Sequence, residues 1–379
     1  MNIVIPCFGG LEPLPPAISL IDVLLGQGHS VSVITMFEEK YEKNNLFVND
    51  RLTIEHVIEK RMNYNKIKNV RVREIAKKID EIRRKILLRK TFKLINRKIN
   101  SEDSMLWILH ESTLNYLGKG LKKYKYVVTT YELDKHFLNN KNILSLVKHA
   151  YNVVVPEYNR AHIIRGLLGL TSLPFVLPNK PSYHPLKRNI KIDDVKIAQK
   201  IEEIKQKNKK IILYLGIFAP SRKLDTYINA YKDSDKFELV LMGKPNQYLE
   251  ELLNKYPKAF TYLGYLSAPE HLSVVSHADV GILTYIPEKN SINSAFCAPN
   301  KIFEYGGFGI PCLCNDIPGL QCVKNYHSGI IIDINNSDDI LNNTQKLFDN
   351  YEYYSLGIKE YFDFFNVDDI VSEIISSYQ

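Results

Sequence analysis

The sequence predicts an α/β protein of two doubly wound domains facing a cleft. Three observations carry that prediction. At 379 residues, 45% of them hydrophobic, the chain exceeds one ordinary core and can fill two. Short β-rich runs alternate with helical stretches along both halves. The alternation breaks at Pro178-Asn179-Lys180-Pro181 through Pro185, where prolines interrupt regular structure. Strands alternating with helices argue parallel sheets covered on both faces. Ligands of such sheets sit at the carboxyl ends of the strands, so the cleft is the expected site.

In the first half, strands are expected near 2–5, 31–35, 54–58, 105–109, 126–130, 152–155 and 174–177. Helices are expected near 14–27, 71–99, 113–122, 141–149 and 157–168. In the second half, strands are expected near 211–215, 238–242, 260–263, 280–284, 311–314 and 329–332, with helices near 224–232, 246–255, 268–277, 299–306 and 336–349. The domains are then 1–180 and 181–355, and 356–379 is a helical segment packing back on the first domain. The opening Asn2-Ile3-Val4-Ile5 reads as a first strand, not a signal peptide with a charged leader. No apolar run approaches the roughly 18–20 residues that span a bilayer.

The five cysteines, Cys7, Cys297, Cys312, Cys314 and Cys322, form no disulfide framework and suit a reduced, cytoplasmic setting. Cys312, Cys314 and Cys322 lack the paired C-x-x-C or histidine pattern of a zinc site and read as strand and loop packing. The net charge of +8 is concentrated in one segment. Residues 60–98 hold sixteen Lys and Arg against Glu74, Asp80 and Glu81, a balance of +13 that leaves −5 for the rest. Within it Ile75, Ile79, Ile82 and Ile86 recur at helical spacing, and Leu88, Phe92, Ile95 and Ile99 continue on what reads as a nearby stripe. A basic amphipathic helix fits an anionic membrane surface. Nucleic acid is disfavoured, because Tyr64 and Phe92 are too few aromatics for stacking on single strands. A solvated helix packed on the first domain is the plain alternative.

The chemistry gathers at strand ends. Gly216-Ile217-Phe218-Ala219-Pro220-Ser221-Arg222-Lys223 follows an apolar strand and brings two cations to the next helix start, an arrangement suited to phosphate. Met242-Gly243-Lys244 and Leu263-Gly264-Tyr265 repeat the strand-then-glycine logic. In Ala298-Pro299-Asn300-Lys301-Ile302-Phe303-Glu304-Tyr305-Gly306-Gly307-Phe308-Gly309, a short helix is closed by glycines that mark a helix end or a close approach. The helix start gathers the Lys301 cation and free backbone N–H groups, which suit an anion, and Glu304 follows one turn on.

Taken in order, Gly216…Arg222-Lys223, Met242-Gly243, Leu263-Gly264-Tyr265, Ala278-Asp279-Val280-Gly281 and Pro299-Asn300-Lys301…Glu304-Tyr305…Gly309-Ile310-Pro311 resemble a retaining glycosyltransferase of family 4. The resemblance is strong over roughly 210–325 and weak in the first half. It implies the GT-B architecture of two Rossmann-like domains, the first binding acceptor and the second a sugar nucleotide. It also implies a carboxylate, here Glu304, on the ribose and a basic residue, here Arg222, on the diphosphate. The nucleotide-sugar set is then Gly9, Gly10, Gly216, Arg222, Lys223, Lys244, Tyr265, Asn300, Lys301 and Glu304. Cys7-Phe8-Gly9-Gly10 resembles the family's glycine loop but contains no G-x-G-x-x-G. His110 and Glu132, at the ends of two strands where the family often carries a histidine near the donor sugar, join Arg222 as the catalytic candidates. His136 lies four residues beyond Glu132.

One departure stands out. Where the family has a glutamate eight residues before the ribose carboxylate, this chain has Phe296. No Asp-x-Asp stands at a strand end, Asp333 is alone and Asp193-Asp194 lies in a hydrophilic stretch, so metal-independent chemistry without a cofactor is expected. The expected enzyme is a cytoplasmic transferase, peripheral on the inner face of the cell membrane. It passes a sugar, from a UDP-sugar by preference, to a lipid-linked or growing polysaccharide acceptor. The alternatives are a GT-B-like UDP-sugar epimerase and a non-catalytic nucleotide-sugar-binding scaffold.

Overall fold

The computed structural model describes residues 1–379 apart from 9, 12–13, 37–48, 58–68, 100–102 and 288–290. Gly9 and the 60–68 part of the basic segment therefore lie outside the described residues. Two units emerge, Met1–Leu177 with Val367–Gln379, and Pro178–Asn366.

Among the described residues, the first unit holds a seven-stranded parallel sheet of β1 (Asn2–Pro6), β2 (Ser30–Thr35), β3 (Leu52–His56), β4 (Ser104–Leu109), β5 (Val127–Thr129), β6 (Asn152–Val155) and β7 (Phe175–Val176). Their order is β3-β2-β1-β4-β5-β6-β7. The second unit holds six parallel strands, β8 (Lys210–Leu215), β9 (Phe237–Met242), β10 (Thr261–Gly264), β11 (Val280–Leu283), β12 (Cys312–Asn315) and β13 (Gly329–Ile332). They run β10-β9-β8-β11-β12-β13. Both orders are doubly wound, and each reverses beside its first strand, between β1 and β4 and between β8 and β11. The architecture is two Rossmann-like α/β domains.

Central strands such as β1, β4 and β8 read as continuous apolar runs because both faces are covered. In β8, Ile211 and Leu213 enter one core while Ile212 and Tyr214 enter the other. In the first unit Ile3 and Ile5 pack with Leu20, Ile21 and Leu24 of helix Pro15–Gly26.

The last helix, Val367–Tyr378, belongs to the first unit, where it buries Val371, Ile374 and Ile375. Its Tyr378 hydroxyl donates to Lys125 O at 2.8 Å. The chain returns there at Val367, later than the expected 356. Helix Tyr351–Phe364 stays in the second unit, with Ile358 and Phe362 in its core and Phe303 stacked on Tyr361 at 5.5 Å. The hydrophilic stretch at Asp193-Asp194 leads into a helix that the expected elements did not include. Asp194 caps helix Val195–Gln206, accepting Ile197 N–H at 3.0 Å, and Ile197, Ile201 and Ile204 turn inward. Among the described residues no helix is long and apolar enough to cross a membrane. The five cysteines are free.

Candidate active site

At the carboxyl edge of the second sheet, backbone hydrogen bonds tie three strand-end glycines into a row. Gly216 N donates to Met242 O and Gly243 N to Gly264 O, both at 2.9 Å. A Cβ on Gly243 would sit 2.0 Å from Gly216 O. Gly216 has φ +135°, and a Cβ there would meet Lys301 Cε at 2.9 Å and Nζ at 3.0 Å. The glycine after β8 thus clears the space that the Lys301 amine occupies.

Arg222 lies on a single turn, Pro220–Arg222, at the same edge. Its Nη1 donates to Thr284 O at 2.9 Å, just past β11. Its guanidinium lies 4.2 Å from the Tyr285 ring centre, and its Nε is buried without a hydrogen-bond partner. Lys301 Nζ lies 5.3 Å from the same ring and 5.2 Å from that of Tyr214. Tyr285 is held by Asn315 at the end of β12, which accepts its N–H at 3.0 Å and donates to its carbonyl at 2.8 Å. Two cations therefore share one aromatic platform at the switch point. Burial, then the Arg222 charge, push the Lys301 amine down to about 8 against the opposing pull of Glu304. This cluster has positive charge in excess and an orphan donor, the electrostatic complement of an anion.

Glu304 is not a surface carboxylate. Its side chain is 14% exposed and its Oε1 sits 3.3 Å from Nε2 of His271, itself 10% exposed. Burial by itself would raise the Glu304 acid, but His271, Lys301 and His184 together hold it below the ordinary value. Burial opposes the charge on His271, and Glu304 wins, raising it. The glycine turn after this helix has a packing reason: a Cβ on Gly307 would come within 2.3 Å of the His184 ring. His184 Nε2 then reaches Glu304 O at 2.9 Å. Gly281 does similar work in β11, admitting the Tyr305 ring, whose hydroxyl donates to Leu213 O at 3.1 Å.

The remaining second-unit candidates are more peripheral. Asn300 sits at the helix start, where its carbonyl accepts Phe303 and Glu304 N–H, but its side chain makes no cap. Lys223 is exposed at φ 52°. Lys244 is exposed and lies 4.8 Å from the half-exposed Tyr265 ring. No described contact joins these three to the Arg222–Lys301 pair. Phe296 ends the short helix Ile292–Ala295.

In the first unit, Cys7 bridges to Leu109, bringing the loop after β1 beside the end of β4. Gly10 is buried there with φ 84°. His110 has φ 72° and ψ 145°, a conformation costing a non-glycine residue roughly 1–3 kcal/mol. Its Nδ1 caps helix Glu111–Leu117 by accepting Ser112 N–H at 3.1 Å. That assigns the neutral ring's proton to Nε2. Glu132 is exposed, and its backbone N–H donates at 2.9 Å to Oε1 of Glu111. Glu111 is the buried carboxyl of this edge, with Oε2 unpartnered and 3.6 Å from His110 Nδ1. Burial pushes its acid up to about 7.

Sequence reasoning missed Glu111, His271, Tyr285 and Asn315. Only Glu111 left a signal, standing beside His110 at a strand end. Among the described residues no group of three or more His, Cys, Asp or Glu side chains is placed to hold a metal.

The fold is that of the GT-B class, shared over the whole chain with solved structures of low sequence identity. Anabaena HepE in complex with UDP-glucose aligns at TM-score 0.69 and 13% identity, covering 100% of both chains. Sucrose-phosphate synthase from Thermosynechococcus elongatus aligns at 0.68 and 14%, covering 100% of this chain and 98% of that one. The lipopolysaccharide outer core galactosyltransferase WaaB aligns at 0.62 and 13%, covering 99% of each. Residues 209–350, within the second unit, match the family described as glycosyl transferases group 1. No curated protein sequence matches the chain.

Proposed function

We propose that the protein is a retaining, metal-independent glycosyltransferase of the family 4 type. It transfers a sugar from a UDP-sugar to a lipid-linked or growing glycan acceptor in polysaccharide biosynthesis, working peripherally on the cytoplasmic face of the membrane. The observation that carries this reading is the pairing of Arg222 and Lys301 over Tyr285, with the ionised Glu304 on the same short helix as Lys301. A nucleoside diphosphate presents what this set lacks, a multiply charged anion for the two cations and vicinal hydroxyls for the carboxylate. HepE, of the same fold, is described in complex with UDP-glucose, which favours the same donor class here.

The second unit takes the nucleotide sugar and the first the acceptor. As the glycosidic bond to phosphate breaks, negative charge grows on the leaving diphosphate. Arg222 and Lys301 meet that charge in a site whose geometry is already set, work that a metal ion performs elsewhere. The leaving phosphate takes the acceptor proton, so no strong protein base is needed. His110 fits such a scheme as a hydrogen-bond donor, since Nδ1 is engaged in the cap and Nε2 carries the proton. Lys223, Lys244, Tyr265, Asn300 and Gly10 remain in the reading as contacts to donor, and Glu132 as an exposed carboxylate at the first-unit edge.

Incubating the purified protein with labelled UDP-sugars and a membrane extract tests the proposal. Labelled lipid-linked product supports it. Isomerised free sugar would make the protein an epimerase, and UDP-sugar binding without turnover would make it a scaffold, an outcome Phe296 would help to explain.

A further inference from the structure

The basic helix Val70–Lys98 carries two apolar faces, and they point in opposite directions. At about 100° per residue, Val72, Ile75, Ile79, Ile82 and Ile86 fall within about 80° of one another. All five are exposed, between 47% and 59%. The small buried Ala76 sits between the two faces, and the buried Thr91 and Ile95 lie on the other side. Phe92 stacks there on Tyr124 at 5.9 Å, and the Arg84 guanidinium reaches the Tyr116 ring at 5.6 Å. The stripe that the sequence placed near the isoleucines is the face that packs, and the isoleucines are left in solvent.

Charge decides what this face fits. The helix has twelve Lys and Arg against three acids. Glu74 and Glu81 are engaged by Lys77 at 2.8 Å and Lys85 at 2.9 Å. All three acids lie about 120° or more from the centre of the isoleucine stripe. Arg71, Lys78 and Lys85 flank the stripe on one side, Arg83 and Lys90 on the other.

We infer that the Ile75–Ile86 face is an insertion surface for an anionic phospholipid bilayer. This rests on the membrane-acceptor reading above and assigns its contact to named side chains. A second copy of the chain is the obvious rival, because the spacing of Val72, Ile75, Ile79, Ile82 and Ile86 matches a coiled-coil seam. Two copies would set cations opposite cations at both flanks of that seam. Beyond Ile86 the same line continues as Arg89 and Lys93, which a helical partner would have to bury. A bilayer presents phosphates to that part of the face while the isoleucines enter the acyl boundary.

The test uses the full-length protein and vesicles of phosphatidylcholine with or without phosphatidylglycerol. An Ile79→Trp variant reports insertion directly, since Trp107, the chain's single tryptophan, is buried and supplies a constant background. Anionic vesicles should shift its emission to the blue, and brominated acyl chains should quench it. The double variant Ile79→Asn/Ile82→Asn should lose about tenfold or more in vesicle binding, with UDP binding unchanged as the control for folding. If the parent binds anionic vesicles but the tryptophan neither shifts nor is quenched, adhesion is electrostatic alone; the insertion face is then wrong although the membrane reading stands. If the parent does not bind vesicles at all, both fall. Concentration-dependent self-association that the double variant abolishes would assign the face to a second copy and overturn the inference.

Discussion

His271 Nε2 lies 3.3 Å from Glu304 Oε1, both side chains nearly buried, so the carboxylate proposed to hold the ribose is itself held by an imidazole whose charged form it favours. The pair makes Glu304 a pre-set acceptor and not a mobile surface acid. It also gives the site a pH dependence whose sign follows from the two shifts.

His271 is raised from its ordinary 6.5, so its contribution is complete below that value and fades as pH rises through the higher folded value. Glu304 is lowered from 4.5, so its contribution is complete above that value and fades as pH falls through the lower folded one. A His271→Gln variant should therefore be most destabilised relative to the parent between 4.5 and 6.5, with the gap closing toward alkaline pH. Urea unfolding across a pH series measures this, and a flat difference would remove the charged pair. Glu304→Gln should in addition weaken UDP binding by about 1.5–3 kcal/mol, the usual value of a hydrogen bond to a charged group. Unchanged affinity by calorimetry would take Glu304 out of the site.

Lys301 gives a second readout. Its amine is pushed down to about 8 by burial and by Arg222. A bound diphosphate would restore the charged form and raise it toward the ordinary value. UDP binding should therefore take up protons near and above pH 8 and almost none well below it. Calorimetry in buffers of differing ionisation enthalpy counts them. Lys301→Arg, charged throughout, should bind without uptake. Proton release, or no buffer dependence in the parent, would show that the diphosphate does not meet this amine.

Much of this was legible in the sequence, for reasons that also explain the rest. Among the described residues, central strands such as β1, β4, β8 and β12 announced themselves because they are buried on both faces and read as apolar runs, while β3 is only half-buried. Helix Val195–Gln206 escaped because its three inward isoleucines are spread among charges, although Asp194 already stood in the capping position. Arg222 drew notice as a cation arriving after a strand end, and Lys301 and Glu304 through the short glycine-closed helix and the family resemblance. His271 was not, because nothing in its local sequence relates it to a helix far along the chain. The two stripes of the basic helix could be counted but not oriented, since periodicity does not say which apolar face meets the sheet.

The first unit offers a stability prediction. Glu111 is pushed from 4.5 up to about 7 by burial, so folding is progressively penalised as pH rises from the first value through the second. Glu111→Gln keeps an oxygen for the Glu132 N–H and removes the charge. The variant should match the parent in acid and exceed it above neutrality, by up to about 3 kcal/mol. Chemical unfolding at about pH 5 and about pH 8.5 decides the matter. A variant less stable at both would mean that the carboxylate is paired in a way its unpartnered Oε2 does not suggest.

Arg222 separates binding from turnover. Its Nη1 is committed to Thr284 O and its face to Tyr285, while Nε has no partner. The guanidinium is thus anchored beside the place where leaving-group charge would grow, and it should matter more as that charge develops than when donor first binds. Arg222→Ala should lower turnover by about 10²–10³-fold, the range seen when one preorganised electrostatic donor is lost, with a much smaller loss in UDP affinity. Equal losses in both would demote Arg222 to a binding residue. The same assay with chelator should proceed undiminished if the two cations do the electrostatic work alone. Activity abolished by chelator and restored by Mn²⁺ or Mg²⁺ would assign that work to a metal, and Arg222→Ala would then be expected to cost far less than it should here.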